Sequence, residues 1–268
     1  MYDIIVVGGG PAGLSAAISA RQRNNSVAVI SNGKANSGLY KAPVVNNYPG
    51  FPNISGPDLL NKLSDHAASA GAELIAGQVT TILPTGDVVH VGYGAEILSA
   101  SSVILTMGVS QTSLFPGEEE LLGRGVSYCA TCDGMLYRSK RVCVICLTPD
   151  AHEEADYLES IGCDVVRIDV RDVKIIGEAK VTSVVADGEE IECDGVFILR
   201  HMVAPHLMLS GLETQNGYIS AAPSGKTNIS GVFAAGDCVG TPHQIAKAVG
   251  QGQVAALSAS EYVRGLKV

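Results

Sequence analysis

Positive charge is scarce in this sequence: 18 Lys and Arg face 27 Asp and Glu, a net charge of −9. With an isoelectric point near 5.1, that balance argues against nucleic acid and anionic membrane surfaces as partners. Charge of either sign is also low, at 17%. The mean hydropathy of +0.24 then reflects the buried Val, Ile, Ala and Gly of parallel α/β sheets. No apolar run approaches a membrane span, and YDIIVV is too short and wrongly flanked for a signal peptide. Seven cysteines, an odd number, without an export signal give the expectation of a cytoplasmic protein. Its thiols would be redox-active, metal-bound or simply buried. At 268 residues the chain has room for one large or two modest domains.

Two strand–turn–helix frames stand out. The first runs from a strand at 3–7 through GGGPAG to a helix at 14–21 and a strand at 26–30. The second opens with RVCVICLTPDAHEEADYLESIG: a strand at 142–147, a turn, and a helix with Ala151, Ala155, Leu158 and Ile161 on one face. Between them, a helix is predicted over 57–70, and residues 73–105 read as an antiparallel excursion. Strands are predicted at VRIDV, KVTSVV, VFILR and VFAAGD, and a closing helix over 244–262.

Gly8, Gly10 and Gly13 match G-x-G-x-x-G directly after a strand and opening a helix. Gly8 permits the turn, Gly10 lets backbone N–H groups reach a pyrophosphate, and Gly13 allows close helix–strand packing. What the frame lacks is the usual acid at the end of the second strand; Ser31 and Asn32 stand there and offer hydrogen bonds to a ribose instead. In TNISGVFAAGDC an apolar strand ends at Gly236–Asp237, placing one carboxylate where a ribityl hydroxyl would need an acceptor. A helix starting near Gln244 would point its positive end at a flavin ring. The bland alternative is an Asp capping a turn.

GGGPAGLSAA, CATCDG and VFAAGD, in that order, resemble the low-molecular-weight thioredoxin reductases, FAD-dependent disulfide reductases, over essentially the whole chain. The resemblance implies two Rossmann-like, three-layer (ββα/βαβ) nucleotide-binding-type domains. An FAD domain would comprise 1–111 and 206–268, and a shortened central domain 112–205. It implies a homodimer, thioredoxin as acceptor, and a flavin site of Gly8, Gly10, Pro11, Ala12, Gly13, Ser31, Asn32, Asn47, Gly236, Asp237, Gln244 and Ile245. It also implies that Cys132 faces the flavin, Cys129 exchanges with the protein substrate, and Asp133 moves the proton. Such exchange runs through a thiolate and a mixed disulfide.

Cys143 and Cys146 make a second C-x-x-C, so C-x₂-C-x₁₀-C-x₂-C can also be read as a zinc or iron site. Residues three apart on a strand face opposite sides, however, and do not easily converge on one ion. No metal is therefore expected.

The second frame has lost its glycines. Cys146 and Thr148 stand where NADPH-dependent relatives carry the two glycines, and only Ala151 persists. Asp150 adds negative charge to the helix start, while Thr148 and Pro149 still suit its N-cap and first turn. The basic run that grips a 2′-phosphate is missing; only Arg167 and Arg171 lie nearby. NADPH use is not expected, and the sequence looks like the NADPH-independent, flavin-dependent ferredoxin:thioredoxin reductases. Reduced ferredoxin, itself acidic, would need a basic landing area, for which Arg138, Lys140, Arg141, Arg167, Arg171 and Lys174 are candidates beside a plain solvated-face reading. A dithiol oxidase using O₂, NADPH-dependent reduction and a non-catalytic flavin-binding scaffold are the alternatives. Oxidase relatives usually carry His after the second cysteine, where this chain has Asp133.

Overall fold

The computed structural model describes residues 1–108, 114–147, 151–170, 172–199 and 204–267, and every count below is of those residues. The chain divides into two compact units, Met1–Ser110 with Ala204–Val268, and Gln111–Val203.

The first unit begins with β1 (Tyr2–Val7), α1 (Pro11–Arg21) and β2 (Val27–Ser31), followed by α2 (Gly56–Ser69) and β3 (Glu73–Ala76). Then come β4 (Val79–Thr85), β5 (Val88–Tyr93) and β6 (Glu96–Leu105). β1 lies parallel between β2 and β6, with Val6 opposite Val29 and Ile104. Its continuous apolar run suits a strand covered on both faces. α2 starts where Ser55 caps it, accepting from the Asp58 amide at 3.1 Å.

The expectation of an antiparallel excursion over 73–105 holds only in part. β4, β5 and the first half of β6 form the antiparallel meander. β3, in contrast, joins the sheet parallel to β2, and the second half of β6 runs parallel to β1. The reason is visible in β6 itself. Its start carries exposed Glu96 and Ile97, whereas Ser102–Leu105 is buried without a break.

The second unit holds β7 (Val126–Ser127), α3 (Ala130–Asp133), β8 (Arg141–Cys146), α4 (Ala151–Ser160) and β9 (Asp164–Ile168). It continues with β10 (Val173–Gly177), β11 (Val181–Ala186), β12 (Glu189–Glu192) and β13 (Gly195–Leu199). β7, β13, β8 and β9 form a parallel sheet in that order, and β10–β12 an antiparallel one. Ala151, Ala155 and Leu158 of α4 bury against Val142, Val144 and Phe197. Each fully buried large aliphatic side chain here contributes roughly 1.5–3 kcal/mol. β10 starts so soon after β9 that no crossover helix fits between them.

The return to the first unit brings α5 (Pro205–Met208), the hairpin β14 (Thr214–Gln215) and β15 (Tyr218–Ile219), β16 (Val232–Ala234) and α6 (Ile245–Leu266). β16 pairs parallel with β6. α6 lies against α1 at close range, because a Cβ at Gly252 would meet the Ala12 carbonyl oxygen at 2.0 Å. Both units show the Rossmann-like α/β class read from the sequence. Among the described residues no helix is long and apolar enough to cross a membrane.

Candidate active site

β1 stops at Val7 because Gly8 turns the chain with φ +113, a region closed to most side chains. A Cβ at Gly8 would lie 2.4 Å from the Thr106 carbonyl oxygen, and one at Gly13 only 1.9 Å from the Gly8 oxygen. Gly10 differs: a Cβ there meets nothing within 4 Å. The protein itself forbids side chains at Gly8 and Gly13, whereas Gly10 borders open space. Pro11 and Ala12 begin α1, whose start has neither a side-chain cap nor an acid in its first turn. Its first N–H groups therefore face outward as an anion site. Ser31 closes β2 beside this turn, its Oγ 2.9 Å from where a Gly9 Cβ would sit, and Asn32 follows. Thr106 escaped the sequence reading. Its hydroxyl is shared between the Val7 and Gly8 carbonyls at 2.9 and 3.0 Å and fixes the floor of the turn.

The return segment meets the same sheet end. Gly236 leaves β16 so close to α1 that a Cβ there would lie 2.7 Å from that of Ala12. Its amide donates to Gln251 Oε1 at 3.1 Å. Asp237 Oδ1 is buried with no hydrogen-bond partner, an arrangement that costs free energy unless a ligand donor completes it. Asn47 Nδ2 donates to Gln244 Oε1 at 2.8 Å, and Ile245 opens α6 directly after. An open side at Gly10, an uncapped helix start and an orphaned carboxylate oxygen fit the pyrophosphate and hydroxyls of FAD. Cys238 takes no part: full burial pushes its thiol up to about 12.

In the second unit, Cys129 caps the short helix α3 and is joined to Cys132 by a disulfide. The Cys132 amide donates to Cys129 Sγ at 3.1 Å. Cys129 is buried and Cys132 exposed. Asp133 accepts from the Ser127 hydroxyl at 2.7 Å, and the Ala130 amide donates to Glu154 Oε2 at 3.4 Å. Just beyond, Met135 and Leu136 are 57% and 67% exposed. Ser127 and Glu154 were missed in the sequence. Ser127 lies two residues before Cys129, but Glu154 reaches the turn only because α4 packs on α3.

The pyridine nucleotide-disulphide oxidoreductase model matches residues 2–173 and 170–252. The chain belongs to that family.

Among its relatives, the thioredoxin reductase of Bacillus subtilis is 33% identical over 100% of this chain and 96% of its own length. A crystal structure of a ferredoxin-flavin thioredoxin reductase from Clostridium acetobutylicum is 38% identical with a TM-score of 0.90, covering 99% of this chain and 98% of that one. The thioredoxin reductase structure from Gloeobacter violaceus is 29% identical with a TM-score of 0.80, covering 100% and 95%. The protein is thus a flavin-dependent disulfide oxidoreductase with thioredoxin reductase relatives.

For a member of this family the second frame is unusual. Strand β8 ends in Cys146, whose thiol is pushed up by burial and then by the Asp169 carboxylate. Cys146, His152 and Asp169 present donor atoms that all lie within 4.8 Å of one another. α4 carries Glu153 and Glu154 in its first turn. Thr148, Pro149, Asp150 and Arg171 lie outside the described residues, so the expected cap and extra charge are not seen directly. Arg167 is held by Asp156 and Glu159 at 2.5 Å each, and Arg141 by Asp164 at 3.0 Å. The four cysteines of the zinc-like spacing go to three places. Cys129 and Cys132 bond to each other, Cys146 meets His152, and the buried Cys143 thiol hydrogen-bonds to Cys193. That bond, with burial, holds the Cys143 thiol well above the ordinary range.

Proposed function

We propose that the protein reduces thioredoxin with electrons from reduced ferredoxin, through FAD and the Cys129–Cys132 pair, without NADPH. One observation carries this reading: Cys146, His152 and Asp169 bring their donor atoms within 4.8 Å of one another at the strand ends of the second unit, where a pyridine nucleotide would lie. In the first unit, Gly10 leaves the corresponding position open. Glu153 and Glu154 oppose a phosphate at the helix start. Arg167, the described cation best placed for a 2′-phosphate, is spent on two acids of α4. The name of the Clostridium relative supports the same donor.

Bound FAD would supply the relay between one-electron and two-electron chemistry. The chain's own residues do the rest. Gly10 and the start of α1 would hold the pyrophosphate, with Ser31 and Asn32 beside it. Asp237 would take a ribityl hydroxyl, and Asn47, Gln244 and Ile245 would hold the ring at the positive end of α6. Cys132, the exposed sulfur, would exchange electrons with the flavin. Cys129 attacks the thioredoxin disulfide once the Cys129–Cys132 bond has opened and uncovered it. Asp133, fixed by Ser127, holds the proton exchanged with the thiolates. Met135 and Leu136 give a protein substrate an apolar rim, which a small dithiol would not need. Arg138 and Lys140, exposed and a few residues beyond the dithiol in sequence, are candidate cations for acidic ferredoxin.

The test is an anaerobic assay counting thioredoxin thiols, driven in parallel by reduced ferredoxin and by NADPH. Turnover with ferredoxin alone is expected. Equal turnover with NADPH would remove the proposal, and rapid aerobic oxidation of a small dithiol would replace it with an oxidase.

A further inference from the structure

Cys146, His152 and Asp169 form a compact donor cluster at the strand ends of the second unit. We propose that they bind a divalent transition-metal ion of borderline softness, zinc above all, at the strand ends of the second unit. The three come together for reasons of topology. β8 and β9 run parallel with Ile145 opposite Ile168. One residue further, Cys146 and Asp169 stand side by side at the carboxyl ends of neighbouring strands. α4 starts above them and places His152 in its first turn. Ligands of parallel sheets gather at this edge.

The donor set suits the ion. Thiolate, imidazole and carboxylate are the three ligand types that zinc accepts, and donors around one tetrahedral ion stand about 3.5 Å apart. His152 Nε2 and Asp169 Oδ1 are already 3.4 Å apart. That is long for a strong ion pair and right for two ligands of one ion. The remaining spread, up to 4.8 Å, closes with side-chain rotations. Access is open, since the His152 and Asp169 side chains are 50% and 63% exposed. The local charge favours a cation, because Asp156 and Glu159 already neutralise Arg167 and leave Asp169 in excess.

On binding, the Cys146 S–H bond breaks, its proton passes to solvent and a sulfur–metal bond forms. Nothing is oxidised or reduced. Neutral His152 and ionised Asp169 add two bonds, and water fills the fourth position. The ion then clamps β8, β9 and α4 where a dinucleotide loop would otherwise tie them.

Calorimetric titration of zinc into chelator-treated, flavin-loaded protein tests this directly. The Cys129–Cys132 pair is kept oxidised so that those sulfurs do not compete. One equivalent is expected to bind with micromolar affinity or better, weakened at least about tenfold in Cys146→Ser, His152→Gln and Asp169→Asn. Cobalt in place of zinc is expected to show a sulfur-to-metal charge-transfer band that Cys146→Ser abolishes and Cys193→Ser leaves intact. The exposure of His152 and Asp169 makes His152→Gln and Asp169→Asn the variants least apt to disturb folding. No saturable binding by the wild type would overturn the site. So would variants that bind as tightly as wild type, or a band lost in Cys193→Ser instead.

Discussion

The two strand–turn–helix units share one frame and differ in what stands at its mouth. In the first, α1 begins without acid or cap, and Gly10 looks onto open space. In the second, α4 begins with Glu153 and Glu154, and the strand before it ends in a side chain that meets His152 and Asp169. The helices pack on their sheets in both cases, through Leu14 and Ile18 in one and Ala155 and Leu158 in the other. A frame can therefore keep the same kind of core with very different groups at its mouth. Packing depends on the apolar face of the helix; ligand binding depends on a few atoms at its start.

The largest effect is expected from Cys132→Ser, which removes the chemistry kept by the second unit. Donor-driven release of thioredoxin thiols should fall by about 10³-fold or more, while bound flavin, measured by its absorbance, stays. Next come two substitutions that separate packing from binding in the first unit. Gly13→Ala drives a methyl against the Gly8 oxygen and should cost more than about 3 kcal/mol of stability, read by denaturant unfolding. Gly10→Ala should leave the flavin-free protein within about 0.5 kcal/mol of wild type. Its FAD affinity, followed by quenching of flavin fluorescence, should nevertheless drop at least tenfold, about 1.4 kcal/mol.

A smaller effect concerns the end of the first unit, where Lys267 reaches Asp3 at 2.7 Å. Burial works against the charged form of Asp3, but hydrogen bonds from Lys267 and Ser26 outweigh it and lower its pKa. The pair then stabilises the fold above the unfolded carboxyl value of about 3.9. That contribution is lost as pH falls through the lower folded value. Lys267→Met should cost less than about 1 kcal/mol at neutral pH, and its gap from wild type should close in acid unfolding curves as pH falls below the unfolded carboxyl value. The smallest effect is expected from Cys146→Gly. One glycine restores room but leaves Glu153, Glu154 and Asp169, so NADPH should still fail to bleach the flavin in anaerobic spectra.

Much of this was legible in the chain because it follows from local rules. A glycine triplet after a strand, a carboxylate at a strand tip and a C-x-x-C each carry their chemistry in their spacing. Thr106 was not legible, since its role depends on meeting Gly8 from 98 residues away. Glu154 is similar: its charge was visible, but its reach to the dithiol turn needed the packing of α4. The parallel pairing of β3 was hidden because a short edge strand with exposed Glu73 and Leu74 has no continuous buried run to betray it. The different neighbours of Cys143 and Cys146, by contrast, follow the strand rule already applied to their spacing, which sets residues three apart on opposite faces of β8.

The most direct measurement is calorimetric titration of NADPH into the flavin-loaded protein under anaerobic conditions. No saturable binding is expected up to about millimolar coenzyme, equivalent to less than about 4 kcal/mol of affinity. A micromolar dissociation constant, accompanied by bleaching of the flavin, would contradict the claim that the second frame has given up its nucleotide.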